Sequence, residues 1–276
     1  MVVWGYPCES KSSPAHYSKH PHSKEWGCFL LQLEIAKFDE SLAIVQNKIR
    51  YILIRRKTSV INNKKIKLLS MHNKGSGSMI IYGDVSSGNC YKIKLLLSLL
   101  KINHTWIHVD ILNKETQTDN FLSLNPNGKI PVLVLDDGRV LSESNAILGY
   151  VAEGSKFIPT DPFIKAKMYQ WMFFEQYSHE PFIAVARFIN KYLGLPPERI
   201  DEYQNLQPKG HKALSIMDKA LVEYDYLVGN QLTIADIALY AYTHVADEGG
   251  FDLKLYPNIR EWCQRIREYL DYVDMV

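Results

Sequence analysis

Sulfur is scarce in this chain of 276 residues, and long apolar runs are missing. Its four cysteines, Cys8, Cys28, Cys90 and Cys263, stand far apart and form no CxxC pair. That spacing argues against a disulfide-stapled scaffold and fits a reducing compartment, with the cytoplasm as the default expectation. No apolar stretch approaches the ~18 residues that a membrane span requires. Met1 is not followed by a basic stretch and an apolar core, so a secretory signal is not expected. Acidic residues are absent from Ser41 to Gly83, and residues 1–78 hold 13 Lys/Arg against 5 Asp/Glu. The rest of the chain therefore keeps 25 of the 30 acidic residues and only 19 of the 32 basic ones. An acidic body gives no reason to expect nucleic-acid binding.

Residues 1–78 show no domain pattern. Pro14, His16, His20, Pro21 and His22 among serines read as loop. Phe29, Leu31, Leu33, Ile35 and Ala36 have weak helical spacing, and lysines and arginines accumulate from Lys48 to Lys67. One functional reading is a basic amphipathic stretch touching anionic lipid. Another is an organelle transit peptide, opposed by Glu9, Glu25, Glu34, Asp39 and Glu40. The expectation is a poorly ordered extension, or a start codon placed too far upstream with Met71 or Met79 the working start. Nothing in this segment could bury a core. Cys8, Cys28, His16, His20 and His22 fit no zinc template, so no metal is expected. Lys74-Gly75-Ser76-Gly77-Ser78 reads as a flexible join.

From residue 79 the pattern changes. Ile80-Ile81-Tyr82 is a short apolar strand, and Ser86 to Asn89 supply loop and cap residues for an amphipathic helix from Cys90 to Leu100. Thr105 to Ile111 reads as a second strand. Residues 125–149 are the most informative stretch. Val132 to Leu135 and Val140 to Leu141 are strands, joined by Asp136-Asp137-Gly138, in which Gly138 is free to take positive φ. Pro131 precedes the first of them and removes a backbone donor. A cis bond there would reverse the chain and turn neighbouring backbone N–H and C=O groups outward. An extended peptide could pair with those groups as another strand would. The hairpin ends in Glu143-Ser144 at a helix start, where free N–H groups and the dipole favour an anion. The combination is a socket for a small peptide bearing a carboxylate.

These residues carry a resemblance. Lys129-Ile130-Pro131, the hairpin and Glu143-Ser144-Asn145-Ala146-Ile147 resemble the glutathione-binding half of cytosolic glutathione transferases. Tyr82 to Lys92 upstream and Thr233-Ile234-Ala235-Asp236 downstream continue it, so that it covers residues 79–276, a whole transferase of bacterial type. The resemblance implies a thioredoxin-like α/β domain over 79–156 and an all-helical domain over 163–276, after the extension 1–78. It implies that Lys129 pairs with the glycyl carboxylate and that Ile130 offers its backbone to the cysteinyl part. It also implies that Glu143 accepts from the γ-glutamyl ammonium and that Ser144 holds the γ-glutamyl carboxylate. Asn125 and Asn127 read as turn formers.

The reaction needs the thiol of glutathione as thiolate, although a free thiol titrates near ~8.5. Ser87, three residues before Cys90, stands where serine-type members carry their catalytic hydroxyl. Asn89 matches the Asn that assists sulfur in some bacterial and fungal branches. A hydroxyl at a helix N-terminus can donate to sulfur, and the dipole favours the anion further. The plainer reading of Ser86 and Ser87 is a helix cap, and the two roles can coexist. Cys90 is the rival: a first-turn thiol could exchange disulfides with glutathione, or simply pack as a small apolar residue.

In the helical part, Glu153 to Pro162 forms the boundary, followed by a long helix from Phe163 to about Asn190 with a bend at Pro181. Helical spacing returns from Asp201 to Tyr226, and Tyr256-Pro257-Asn258 begins a last helix. Thr233 with Asp236 is a capping box with Asp in place of Glu or Gln, a structural device. Trp171, Phe174, Tyr177, His179 and Arg187 are candidate lining residues for an acceptor pocket, with Tyr177 and Arg187 the ones carried forward as its site. Aromatics at helical spacing are more often core, no carboxylate can be placed to orient His179, and a surface ion pair is the plainer reading of Arg187. The expected activity is conjugation of glutathione, as co-substrate, to a small electrophile in detoxification, with no permanently bound cofactor and no metal. Glutathione-dependent disulfide reduction and a non-catalytic binding module are the alternatives. A homodimer is implied by the resemblance alone.

Overall fold

The computed structural model describes residues 79–275, and the expectations for residues 1–78 lie outside them. Strand β1, Met79–Gly83, is followed by helix α1, Gly88–Leu99, and strand β2, His104–His108. β1 and β2 run parallel, the right geometry for a strand–helix–strand unit. Helix α2, Asp119–Leu124, leads to the hairpin of β3, Val132–Val134, and β4, Val140–Ser142. The four strands form one mixed sheet in the order β2-β1-β3-β4, with β3 antiparallel to both neighbours. Gly138 at φ 81° makes the hairpin turn that the sequence predicts. Helix α3, Ser144–Val151, closes the domain. The sheet and its helices make the thioredoxin-like arrangement that the sequence implies.

A helical domain follows. Asp161 caps helix α4, Pro162–Phe174, by accepting from the backbone N–H of Ile164 at 2.9 Å. Helical winding continues through a wide π turn, Glu175–His179, into helix α5, Glu180–Arg187, and a second π turn, Phe188–Tyr192. The expected bend at Pro181 thus takes the form of a widened turn just before it. Pro181 has no N–H to donate and its ring displaces the carbonyl of Tyr177, so the ladder slips from i−4 to i−5. Helix α6 runs Ile200–Ala220, ending before the expected Tyr226, and β2 likewise stops short of the expected Ile111. Helix α7, Ile234–Thr243, and helix α8, Pro257–Arg267, complete the α-helices of the described residues.

α7 is the axis of the core. Every residue from Ile234 to Thr243 is buried, beside Ile93, Leu96, Ile183 and Trp262. Asp236 ties its start together, accepting from Thr233 N at 2.9 Å, Leu227 N at 2.8 Å and Trp262 Nε1 at 3.1 Å. Sheet and helical domains meet where α1 packs on α7. Gly88 allows that approach: a Cβ there would lie 2.5 Å from the Tyr242 ring. The N-terminus of α1 is thereby pinned at the junction of the two domains.

Candidate functional site

The hairpin, α1, α3 and the π turn converge on one polar cavity. Its lining is Asn89 from α1, Asn125, Lys129, Ile130 and Pro131 from the loop before β3, Glu143 and Ser144 at the start of α3, and Gln176 and Glu180 from the helical domain. The Ile130–Pro131 bond is cis. The loop beneath it is held by Asn125, whose Nδ2 donates to the Lys129 carbonyl at 2.7 Å and whose Oδ1 accepts from Asn127 N at 3.1 Å. Asn125 is thus both the turn former expected of it and a wall of the cavity. Lys129 is exposed at the rim and forms no ion pair among the described residues.

Glu143 holds an unusual conformation, φ 70° and ψ 111°, outside the regions that L-residues ordinarily occupy. It turns the chain at Ser144, which is buried, lines the cavity and opens α3 there. Ser144 Oγ donates to Asn89 Oδ1 at 3.1 Å. Asn89 Nδ2 in turn donates to Glu180 Oε1 at 3.1 Å, and burial pushes the Glu180 carboxyl up against the pull of Lys92. Lys92, Glu175 and Glu180 escaped the sequence reading. The ammonium of Lys92 is fully buried and donates to Glu175 Oε1 at 2.9 Å, Asn89 Oδ1 at 2.8 Å and Ser144 Oγ at 3.2 Å. A lysine and a carboxylate separated by 83 positions leave no local signature; the one hint was Pro181, which marks the turn that carries Glu175 inward.

Lys129, Ile130, Glu143, Ser144 and Asn89 therefore come together, while other expected residues stand apart. Ser87 is the N-cap of α1 but its side chain caps no backbone group, and it does not line the cavity. Its hydroxyl lies against Cys90, which is buried and whose thiol burial pushes up to about 12. Cys90 occupies the core position that was one of its two readings. Arg187 is buried in an ion pair with Glu248, and its Nη1 donates to the Ser86 carbonyl at 2.9 Å, steadying the loop before α1. Tyr177 is 80% exposed on the outer face. Neither lines the cavity. His179 is buried, meeting Thr243 Oγ1 at 2.8 Å, and desolvation lowers its imidazole to about 3. Trp171 lines a larger hollow of about 580 Å³ between α4 and α6, walled mainly by apolar side chains and reached by none of the motif residues.

A thioredoxin-like domain with a cis-proline loop and an anion-ready helix start, backed by a helical domain, defines a class. Residues 86–153 match the family described as glutathione S-transferase, N-terminal domain, and residues 173–269 match glutathione S-transferase, C-terminal domain. A solved glutathione S-transferase from Pseudomonas fluorescens Pf-5 is 58% identical, with a TM-score of 0.71 over 72% of this chain and 98% of that one. The disulfide-bond oxidoreductase YfcG of Escherichia coli K12 is 30% identical over 65% of this chain and 86% of its own length. A Pseudomonas fluorescens Pf-5 transferase family member with two glutathione molecules bound is 21% identical, at TM-score 0.64 over 74% of this chain and 94% of that one, a likeness of fold. The chain belongs to the glutathione transferase family.

Proposed function

We propose that the protein is a glutathione transferase that holds glutathione in the Asn89–Lys129–Ser144 cavity, activates it as thiolate and conjugates it to a small electrophile. The observation that carries this reading is the convergence of Lys129, the Ile130 backbone, Glu143, Ser144 and Asn89 on one cavity from three separate segments. Glutathione carries two carboxylates and one ammonium. Lys129 at the rim suits the glycyl carboxylate, Ser144 and the free N–H groups of α3 the γ-glutamyl carboxylate, and Glu143 the ammonium. Ile130 presents backbone groups to the cysteinyl part, leaving the sulfur near the N-terminus of α1.

There the catalytic assignment is Asn89 with Ser87. Asn89 is the stronger of the two, because its amide borders the cavity and Ser87 faces Cys90. One hydrogen bond to an ionised group contributes about 1.5–3 kcal/mol, which lowers a thiol pKa by about one to two units. Gln176 and Glu180 form the wall an acceptor would approach. Glutathione is a co-substrate, and the cytoplasm, where it is kept reduced, is the setting that suits the reaction. A homodimer fits the apolar side chains Val140, Tyr150, Phe173 and Tyr177, all exposed on β4, α3, α4 and the π turn.

A second reading is glutathione-dependent disulfide reduction, favoured by the name of the 30% identical Escherichia coli relative and by Asn89 at the cavity. Calorimetry with reduced glutathione, followed by turnover of a chromogenic electrophile and of a small disulfide, separates the readings. Electrophile turnover that falls tenfold or more in Asn89→Ala, and less in Ser87→Ala, is the expected outcome. Binding with no turnover of either substrate would leave a binding module, and no heat from glutathione would end the proposal.

A further inference from the structure

We infer that Lys92 is a positioning residue: held by Glu175 of the helical domain, it turns the Asn89 amide and the Ser144 hydroxyl toward bound glutathione. This rests on the glutathione reading and extends it to two residues outside the binding motif. Lys92 and Glu175 are both fully buried and 2.9 Å apart. An ammonium has three donors and no acceptor, so each atom it faces must be an oxygen. Lys92 faces Asn89 Oδ1 at 2.8 Å, Ser144 Oγ at 3.2 Å and Asn145 Oδ1 at 3.4 Å as well as Glu175.

The consequence for Asn89 is geometric. Its carbonyl oxygen is held inward, so Nδ2 points outward to Glu180 and the cavity. Of the two N–H bonds on Nδ2, one meets Glu180 and the other is left to donate to a sulfur anion. An amide flipped the other way would present an oxygen to that anion and repel it. Ser144 is governed by the same ammonium. Because Lys92 donates to Oγ, the hydroxyl hydrogen is free to turn from Asn89 to a carboxylate. Glu175 completes the arrangement: Oε1 accepts from Lys92 and Oε2 accepts from Asn145 Nδ2 at 2.9 Å. The groups around Asn89 are Lys92 on α1, Ser144 on α3, Glu175 on the π turn, Glu180 on α5 and Tyr242 on α7, whose hydroxyl accepts from Asn89 N at 3.3 Å. His179 also belongs to this buried neighbourhood, and the positive charge of Lys92 opposes its protonation. Lys92 is thus the buried cation whose ammonium meets the amide oxygen.

The test replaces the pair by two apolar side chains, Lys92→Met with Glu175→Met, in the full chain. Exchange of a buried ion pair for well-packed apolar residues is commonly neutral or stabilising, so the double variant is expected to keep its melting temperature. Reduced glutathione binding is read by calorimetry, and the thiol pKa of the bound tripeptide by the ultraviolet absorbance of its thiolate. The expected result is a thiol pKa raised by about one unit and a dissociation constant weakened about tenfold, each near 1.4 kcal/mol. If the native chain binds glutathione and the folded double variant matches it in affinity and thiol pKa, the inference is overturned while the glutathione reading stands. A native chain that binds no glutathione removes both. Should the double variant fail to fold, Lys92→Met with Glu175→Gln decides, because it removes both charges and still offers Asn145 an oxygen. Affinity and thiol pKa equal to native then overturn positioning, and a loss of about tenfold with a raised thiol pKa supports it.

Discussion

Glu143 offers a test in which stability and function move in opposite directions. Its φ of 70° and ψ of 111° place a residue with a Cβ where only glycine is at ease. Such a conformation costs about 1–3 kcal/mol, sustained here because Ser144 must open α3 at the cavity. Glu143→Gly relieves that strain and loses about 0.5–1 kcal/mol through the greater freedom of the unfolded chain. A net gain of up to about 2.5 kcal/mol follows, raising the melting temperature by up to about 10 °C for a domain of this size. The same change removes the carboxylate proposed for the γ-glutamyl ammonium, a charged hydrogen bond of about 1.5–3 kcal/mol, so glutathione should bind about 10- to 150-fold more weakly. Glu143→Ala separates the two effects. It keeps the Cβ and hence the strain, so its stability should stay near native while its affinity falls as far as that of the glycine variant. Chemical denaturation and calorimetry on the three proteins give both numbers. Equal stability loss in the alanine and glycine variants would refute the strain argument. Undiminished affinity in both would refute the role of the carboxylate.

Asp236→Ala should be far more harmful than the loss of an ordinary helix cap, because three neighbours donate to this carboxylate in a fully buried place. At about 1–3 kcal/mol per stranded donor, and allowing for relaxation, a loss of roughly 3–5 kcal/mol is expected in urea denaturation, and less than 1 kcal/mol would contradict it. A second expectation concerns pH. His179 and His244 are held to about 3 and about 4 by burial, below the ordinary 6.5. The unfolded chain therefore binds more protons than the native one as pH falls below 6.5, and stability present above that pH is lost on acidification. Each histidine contributes a slope of about 1.4 kcal/mol per pH unit, down to about pH 4 for His244 and about pH 3 for His179. The raised carboxyls of Glu180 and Asp236 work in the opposite sense, so the cleanest measure is the difference between native and His179→Gln. An unchanged slope in that variant would contradict the assignment.

Local patterning revealed the parts of this molecule that are held together locally. Asp136 to Gly138 between two β-branched runs has one good solution, a hairpin, and the capping box of Thr233 and Asp236 starts its helix where the spacing predicts. That Lys129, Ile130, Glu143 and Ser144 share one cavity was legible because they lie within 16 positions of one another. What escaped was the wiring between distant segments. Lys92 sits among Ile93, Leu95 and Leu96 on a helix, where a lysine ordinarily reaches water; only Glu175, brought in by the π turn, makes its burial tolerable. Arg187 was a candidate for glutathione or an anionic acceptor, with an ordinary ion pair as its plainer reading. Its anion turns out to be Glu248, far along the chain. The strand end at His108 and the helix end at Ala220 fall short of the apolar pattern, which runs on past both.

The shared ammonium at Lys92 also limits how this protein can be taken apart. A sheet domain cut free near Asp161 would lose Glu175, and the cation behind Asn89 would face water or stay buried with no counter-charge. Neither state preserves the amide's outward N–H. Chimeras that graft a foreign helical half onto residues 79–156 therefore need an acid at the place of Glu175, whatever else they change. On the proposed reading, residues 79–156 carry the tripeptide's contacts and Glu175 of the helical domain keeps them in tune.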